Sequence, residues 1–348
     1  MNYIGSKLTL LPFLENVVRE VTDGSEKTFC DLFAGTGAVG RHFKKLGFQI
    51  IANDLQYYAY VLNKAYLEIN ETPDFKNLRR VYKKEIAMHR SPLSTTIQET
   101  LAVINELPAS TGFITKNYSL VGGRQYYSEA NANKADAIRQ QLEDWRTNKL
   151  LTKKEYFYVL CSLLEAIDQV ANTASVYGAY LKKFKASALK PLRLKPLELT
   201  NHVRDCRVWN LDANELIEKI ECDVLYLDPP YNHRQYGANY HVLETIAAYD
   251  NPELKGLTGM REYSKSDYCR KDAAYSAMEN LIRNANAKHI FMSYNDEGVL
   301  SLKDIQSILK LRGKPEKFKK KYARYKADNG REYKKDSTIE YVHYVKVS

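Results

Sequence analysis

Nine residues constrain this chain more than any others: Asp223-Val224-Leu225-Tyr226-Leu227-Asp228-Pro229-Pro230-Tyr231. The first half is short, apolar and bounded by charge, the pattern of a buried strand. Two prolines follow, and proline cannot donate to a sheet ladder. The chain must leave the sheet at Asp228 and run on as a stiff, extended loop. A carboxylate, a backbone carbonyl and an aromatic ring are thereby gathered at the carboxyl end of one strand. In open α/β sheets that is where ligands bind.

An aromatic amino group suits this trio. Its lone pair is delocalised into the ring, which makes it a poor nucleophile. An acceptor on each N–H draws the nitrogen towards a pyramidal form and frees the lone pair. Asp228 and the Pro229 carbonyl can be those acceptors, and Pro230 helps to fix the carbonyl direction. Tyr231 offers a flat face to an extruded base, a contact worth roughly 1–3 kcal/mol. The plain alternative is a strand, a proline turn and a structural tyrosine.

Asp-Pro-Pro-Tyr resembles the catalytic signature of amino-methyltransferases that act on nucleic-acid bases. Its Asp form, with the cofactor motif placed ahead of it, resembles the Dam-like DNA adenine methylase family. Two further stretches carry the likeness. Asn2-Tyr3-Ile4-Gly5-Ser6-Lys7 leads into an amphipathic helix expected over Leu8–Val21. Thr28 to Gly40 then reads as a strand, the glycine turn Phe33-x-Gly35-x-Gly37, and a helix start. Glycines let a backbone approach a ligand closely and take up positive φ. A second strand is expected over Gln49–Asn53, ending at Asp54. The turn and Asp54, 19 residues beyond Gly35, also match a dinucleotide fingerprint. This half alone does not separate a nicotinamide enzyme from a methyltransferase.

The resemblance implies an α/β fold: a Rossmann-like class I methyltransferase sheet, mostly parallel with one antiparallel strand, and an inserted target-recognition domain. It implies S-adenosylmethionine as cofactor. Tyr3 and Lys7 would touch it from ahead of the first strand. Asp31, Phe33, Gly35 and Gly37 would form the turn against its methionine part. Asp54 would hold its ribose, Asp212 its adenine amino group, and Asp228 would lie between it and the target base. Asp54 and Asp212 each have a plain reading as a helix cap. His241 reads as a hydrogen-bonding loop residue rather than a base, since a methylated amine loses its proton readily.

The strand–helix alternation lapses between Glu71 and Val203. Residues 1–70 and 205–348 are expected to form the catalytic domain, and 71–204 a mostly helical insertion with helices near 131–148 and 153–170. Further strands are expected over Cys206–Asn210, Ala287–Tyr294 and Ile339–Val347, the last antiparallel. Candidate DNA contacts are Arg124 in a Gly-Gly-Arg-Gln-Tyr-Tyr stretch, then Lys182, Lys183 and Lys185, and Arg234 and Tyr236 after the catalytic motif. Lys310–Lys335 is a second basic stretch. The bland alternatives are a hairpin and solvated charge runs.

The formal net charge of +10 over 348 residues suits a polyanionic partner. Five scattered cysteines without a Cys-x-x-Cys pair fit neither a disulfide framework nor a zinc site. Reduced thiols and a cytoplasmic home are expected, and no metal is needed. No apolar run is long enough to span a bilayer. No Pro-Cys dipeptide occurs, so covalent attack on a cytosine ring carbon lacks its nucleophile.

The leading expectation is a site-specific DNA adenine methyltransferase acting on a flipped base in double-stranded DNA. By the same resemblance it would serve a restriction-modification system beside a cognate restriction endonuclease, with no membrane partner. The alternatives are an amino-methyltransferase on cytosine, RNA adenine or glutamine, a nicotinamide oxidoreductase, or a non-catalytic DNA-binding protein.

Overall fold

A computed structural model describes residues 5–231, 235–295, 298–323 and 337–348. Among them runs a seven-stranded sheet in the order β3-β2-β1-β4-β5-β7-β6. The strands are β1 (Thr28–Asp31), β2 (Gln49–Asn53), β3 (Arg207–Trp209), β4 (Glu221–Leu227), β5 (Asn286–Asn295), β6 (Pro315–Ala323) and β7 (Ser337–Lys346). Strands β1 to β5 pair in parallel. β7 runs antiparallel to both its neighbours, β5 and β6, so it alone opposes the rest. This is the mostly parallel class I methyltransferase sheet that was expected.

β6 was not expected. Its lysines hide it, because Lys317, Lys319 and Lys321 are exposed and no apolar alternation announces a strand. It is the edge of the sheet, where charge discourages further pairing.

The strand order reverses between β1 and β4. Asp223 fixes the register there. Its carboxylate accepts the amides of Lys27 and Thr28 at 2.8 and 2.9 Å and the Thr28 hydroxyl at 3.0 Å. The Lys288 ammonium pairs with its other oxygen at 2.6 Å.

Period-2 alternation then sorts the strands into two faces. Cys30, Leu225, Leu227, Ile290, Met292 and Val345 join one core cluster with residues from helices Ala213–Ile217, Ala274–Asn284 and Leu302–Leu309. The other face carries Phe29, Tyr226, Phe291 and Tyr344. There Phe29 stacks on Phe43 of helix Ala38–Lys45 with ring centroids 3.9 Å apart, and Phe291 meets Tyr344 at 4.9 Å. By the same alternation Asp31, Asp228 and Glu340 fall on this second face, towards the carboxyl ends of the parallel strands.

The described residues form two compact units. The sheet belongs to the unit of 5–63, 202–237 and 264–348; residues 64–201 and 238–263 form the other. In that second unit, helices Glu129–Thr147 and Lys153–Gln169 stand close to the expected spans. Thr152 and Glu155 close a capping box at the start of the latter. That helix is apolar around most of its surface and is correspondingly buried. Asp136 is buried and accepts the amides of Gly112, Ile114 and Thr115 within 2.9 Å and the Thr115 hydroxyl at 2.7 Å. Segment 238–263 adds helix His241–Ala248 to this unit.

Candidate active site

The site grows from the ends of β4 and β1, on either side of the reversal in strand order. β4 ends at Leu227, and the two prolines carry the chain out of the sheet. Asp228 is left facing Lys7. The Lys7 ammonium lies 3.0 Å from Asp228 Oδ1 and 2.8 Å from Glu340 Oε1. The Lys7 and Glu340 side chains are buried and Asp228 is 18% exposed. Burial pushes the Asp228 carboxyl up to about 6; Lys7 pulls against that rise and Glu340 adds to it. Burial also works against a charged Lys7, yet Asp228 and Glu340 hold its ammonium well above the ordinary lysine value.

Pro229 is buried and Tyr231 half-buried. The Tyr231 ring meets Tyr294 edge-on at 5.8 Å. The Lys7 ammonium stands 5.8 Å from its centroid. The Tyr231 carbonyl accepts the Val299 amide at 2.8 Å, which anchors the loop.

Beside this lies the glycine turn. Asp31 is buried at the end of β1, and its Oδ2 accepts the Gly40 amide at 3.2 Å. Burial and then the charge of Asp228 push its carboxyl up to about 8, against the pull of that amide. Gly35 and Gly37 have φ of 51° and 75°, which favour glycine. A Cβ on Gly37 would also collide with Asn63 Oδ1. Asn63 clamps the turn from the end of helix Tyr57–Asn63, donating to the Gly35 carbonyl at 2.9 Å.

Asp54 braces the same turn. Its Oδ2 accepts the Gly35 amide at 2.8 Å and its Oδ1 the Gln56 amide at 2.9 Å. Phe33 is half-buried and meets Tyr268 edge-on at 5.0 Å. The Tyr268 hydroxyl donates to Asn214 Oδ1, and the Asn214 amide donates to Asp212 at 2.8 Å. Asp212 thus caps helix Ala213–Ile217, as its plain reading has it.

Lys7, Asp31, Phe33, Gly35, Gly37, Asp54, Asp212, Asp228 and Tyr231 therefore all belong to the sheet unit. Sequence reasoning missed Asn63, Tyr268 and Glu340. Glu340 left one signal: it shares strand parity with Val342 and Tyr344, so alternation turns it inward.

The family profile described as D12 class N6 adenine-specific DNA methyltransferase matches residues 3–308. The Type II methyltransferase M.NlaIII of Neisseria lactamica is 46% identical over 349 residues, covering 99% of this chain and 98% of its own. This chain belongs to the D12 class of N6 adenine-specific DNA methyltransferases. The Type II methyltransferase M.CviAII of Paramecium bursaria Chlorella virus 1 is 35% identical, over 94% of this chain and 93% of its own. M.FokI of Planomicrobium okeanokoites is 41% identical across 99% of this chain, which spans 52% of that protein.

The DNA-contact candidates of this D12 methyltransferase fare differently from one another. Arg124 points its guanidinium at backbone carbonyls: Nε donates to Leu257, Nη1 to Asn117 and Nη2 to Gly256, at 3.1 to 3.3 Å. Lys185 donates to the Thr173 carbonyl at 2.8 Å. Lys182 and Lys183 are exposed. Tyr236 is half-buried in the sheet unit, and a Cβ on Gly5 would come within 2.9 Å of its hydroxyl. Tyr3, Arg234 and the run from 324 to 335 lie outside the described residues. His241 is buried, and its ring nitrogens lie 3.0 Å from the Ala238 and Thr258 carbonyls, a structural setting. Among the described residues no group of three or more His, Cys, Asp or Glu side chains could hold a metal, and no helix is long and apolar enough to cross a membrane.

Proposed function

We propose that this methyltransferase carries a methyl group from S-adenosylmethionine to the exocyclic amino group of an adenine flipped out of duplex DNA. We infer further that it is the modification member of a Type II restriction-modification system, with a cognate endonuclease as its partner. The observation that carries the site assignment is the Lys7–Asp228 pair at the end of β4, beside the glycine turn of β1.

The residues present fit the cofactor. Positive φ at Gly35 and Gly37 shapes the turn that would lie against it, with Asn63 packed where a Gly37 Cβ would stand. Asp228 offers negative charge to a cationic ligand, and Asp31 can ionise beside one. Phe33 and Tyr268 offer aromatic surface, Asp54 would accept from ribose hydroxyls, and Asp212 from an adenine amino group. When bound, S-adenosylmethionine supplies a methyl group already activated on a sulfonium.

The chain then has to position rather than activate. Asp228 and the Pro229 carbonyl accept the two amine N–H groups and turn the lone pair towards the methyl. Tyr231 stacks on the extruded base, helping to offset the few kcal/mol that flipping costs. As the nitrogen–carbon bond forms, the methyl carbon–sulfur bond would break to leave a neutral thioether; the amine would become cationic beside Asp228 and then pass one proton to that carboxylate or to water. Residues 64–201 and 238–263 would supply target recognition, and Lys182 and Lys183 phosphate contacts.

The test is transfer of labelled methyl to duplex DNA, followed by sequencing that locates N6-methyladenine in DNA from cells making the protein. Label on cytosine, on RNA or on protein alone would replace this reading, as would binding of NAD in place of S-adenosylmethionine.

A further inference from the structure

The buried and half-buried carboxylates of this chain are not held alike. Asp136 has five donors within 2.9 Å, the Tyr249 hydroxyl among them. Asp223 has three backbone or hydroxyl donors and a lysine. Such sets are what a carboxylate needs to be taken out of water at low cost. Glu340 is as buried as Asp136 and more so than Asp223, with 1% of its side chain exposed against 16% for Asp223. Yet among the described residues neither of its oxygens receives a hydrogen bond of good geometry. Among the described residues its charge is met by one group, the Lys7 ammonium at 2.8 Å.

That ammonium is also the partner of Asp228. In the sheet order β4-β5-β7, Glu340 sits two strands from the strand that delivers Asp228. Lys7 bridges the gap, past the end of β5. A single cation thus serves two carboxylates, and among the described residues the one that is costly to bury has no other cation against it.

We propose that Glu340 is a positioning residue for methyl transfer, acting through Lys7 on Asp228. This rests on the reading of Asp228 as the acceptor of the target amine. Two effects follow from the geometry. Glu340 draws the ammonium to its own side, so that Lys7 keeps Asp228 ionised without neutralising it as an acceptor. Glu340 also leaves a net negative charge beside an amine that turns cationic as the methyl arrives. Fixed charge placed where charge develops is the strongest single device of catalysis. A Lys7–Asp228 pair alone would be neutral.

Among the described residues the charged and titratable groups that face Asp228 are Lys7, Glu340, Asp31 and Tyr226, with Tyr231 beside Lys7. Of these, Glu340 and Asp31 are the carboxylates, and Asp31 is unchanged by a substitution at 340. Removing the Glu340 charge lets Lys7 stabilise the ionised Asp228 more fully, so Asp228 titrates at lower pH.

The experiment compares wild type, Glu340→Gln, Glu340→Asp, Lys7→Gln and the double variant Lys7→Gln/Glu340→Gln. Glu26→Gln, at a buried pair with His289 remote from the motif, controls for stability alone. Single-turnover methyl transfer is followed against pH, with melting temperature and cofactor affinity measured beside it. Wild-type transfer to adenine in duplex DNA tests the underlying reading first. If it fails, that reading fails, and the inference is then read from the Asp228 carboxyl by isotope-edited infrared titration.

Glu340→Gln should slow transfer by about tenfold or more at saturating cofactor, the scale of one lost electrostatic contact. It should move the acid limb of the pH profile, and the infrared midpoint, to lower pH. Glu340→Asp should restore part of the rate. In the Lys7→Gln background the second substitution should add little, because the two act as one unit. The inference is overturned if the acid limb stays in place, if rate follows melting temperature as in Glu26→Gln, or if the Lys7 and Glu340 effects simply add.

Discussion

Asp31 and Asp228 stand on the same face of neighbouring parallel strands, and the charge of the second weighs on the first. Asp31 therefore ionises only against the charge already carried by Asp228. A cationic ligand would correct that. The consequences can be measured.

Cofactor binding should release protons. Burial and Asp228 push the Asp31 carboxyl up to about 8, so it is largely protonated at pH 7 in the free protein. A bound cation favours its ionised form. Calorimetry in buffers of different ionisation enthalpy should show release near pH 7, and Asp31→Asn should abolish it. The sign for stability is opposite to that of an ion-paired carboxylate. The unfolded value is about 3.9, so this group favours the fold at acid pH and loses that contribution as pH rises towards 8. Equal proton counts in wild type and Asp31→Asn would remove Asp31 from the linkage.

Transfer should need Asp228 ionised. With its carboxyl pushed up to about 6, chiefly by burial, the rate should fall about tenfold per pH unit once well below that value. Asp228→Ala and Asp228→Asn should lose transfer while keeping duplex binding. Near-normal turnover in either variant would take this carboxylate out of the mechanism.

Tyr231 should act through its ring rather than its hydroxyl. Tyr231→Phe and Tyr231→Trp should keep part of the activity, and Tyr231→Ala should lose most of it, in line with roughly 1–3 kcal/mol of stacking. A phenylalanine variant as inactive as the alanine variant would assign the role to the hydroxyl instead.

The basic stretch should contribute through two lysines, not three. Lys182 and Lys183 are exposed, whereas Lys185 is engaged with the Thr173 carbonyl. Neutralising Lys182 and Lys183 should lower the slope of log affinity against log salt by up to about 1.8. Cognate and unrelated duplexes should be affected alike. Adding Lys185→Gln should leave the slope where it is; a further drop would show that its ammonium reaches phosphate after all.

These outcomes bear on what a sequence can reveal. β4 and the prolines after it were legible because an apolar run meeting Asp228-Pro229-Pro230 has few other ways to fold. The span of β2 was legible for a similar reason. β6 was not, since at a sheet edge the lysines on the outer positions cost nothing and erase the alternation. The partner of Lys7 was also out of reach. Its place beside the glycine-containing N-terminal loop points to the cofactor, while the ion pair that holds it comes from β7. Arg124 and Lys185 show the same limit in reverse. A basic residue in a loop reads as a hand held out to phosphate, but a long side chain can turn its head to any backbone carbonyl within reach.

The meeting of Lys7, Asp228 and Glu340 also sets a clock on folding. The glycine turn and the strand that carries Asp228 are assembled from β1 and β4, yet the third member arrives only with β7, the last of the seven strands in sequence order. Contacts between segments so far apart in the chain form late, because each closes a long loop before it is rewarded. A chain that has made β1 to β5 has its Asp-Pro-Pro-Tyr loop and a neutral Lys7–Asp228 pair, without the further negative charge that Glu340 brings. Competence should therefore appear abruptly, with the pairing of β7 against β5, rather than grow in step with the compaction of the core.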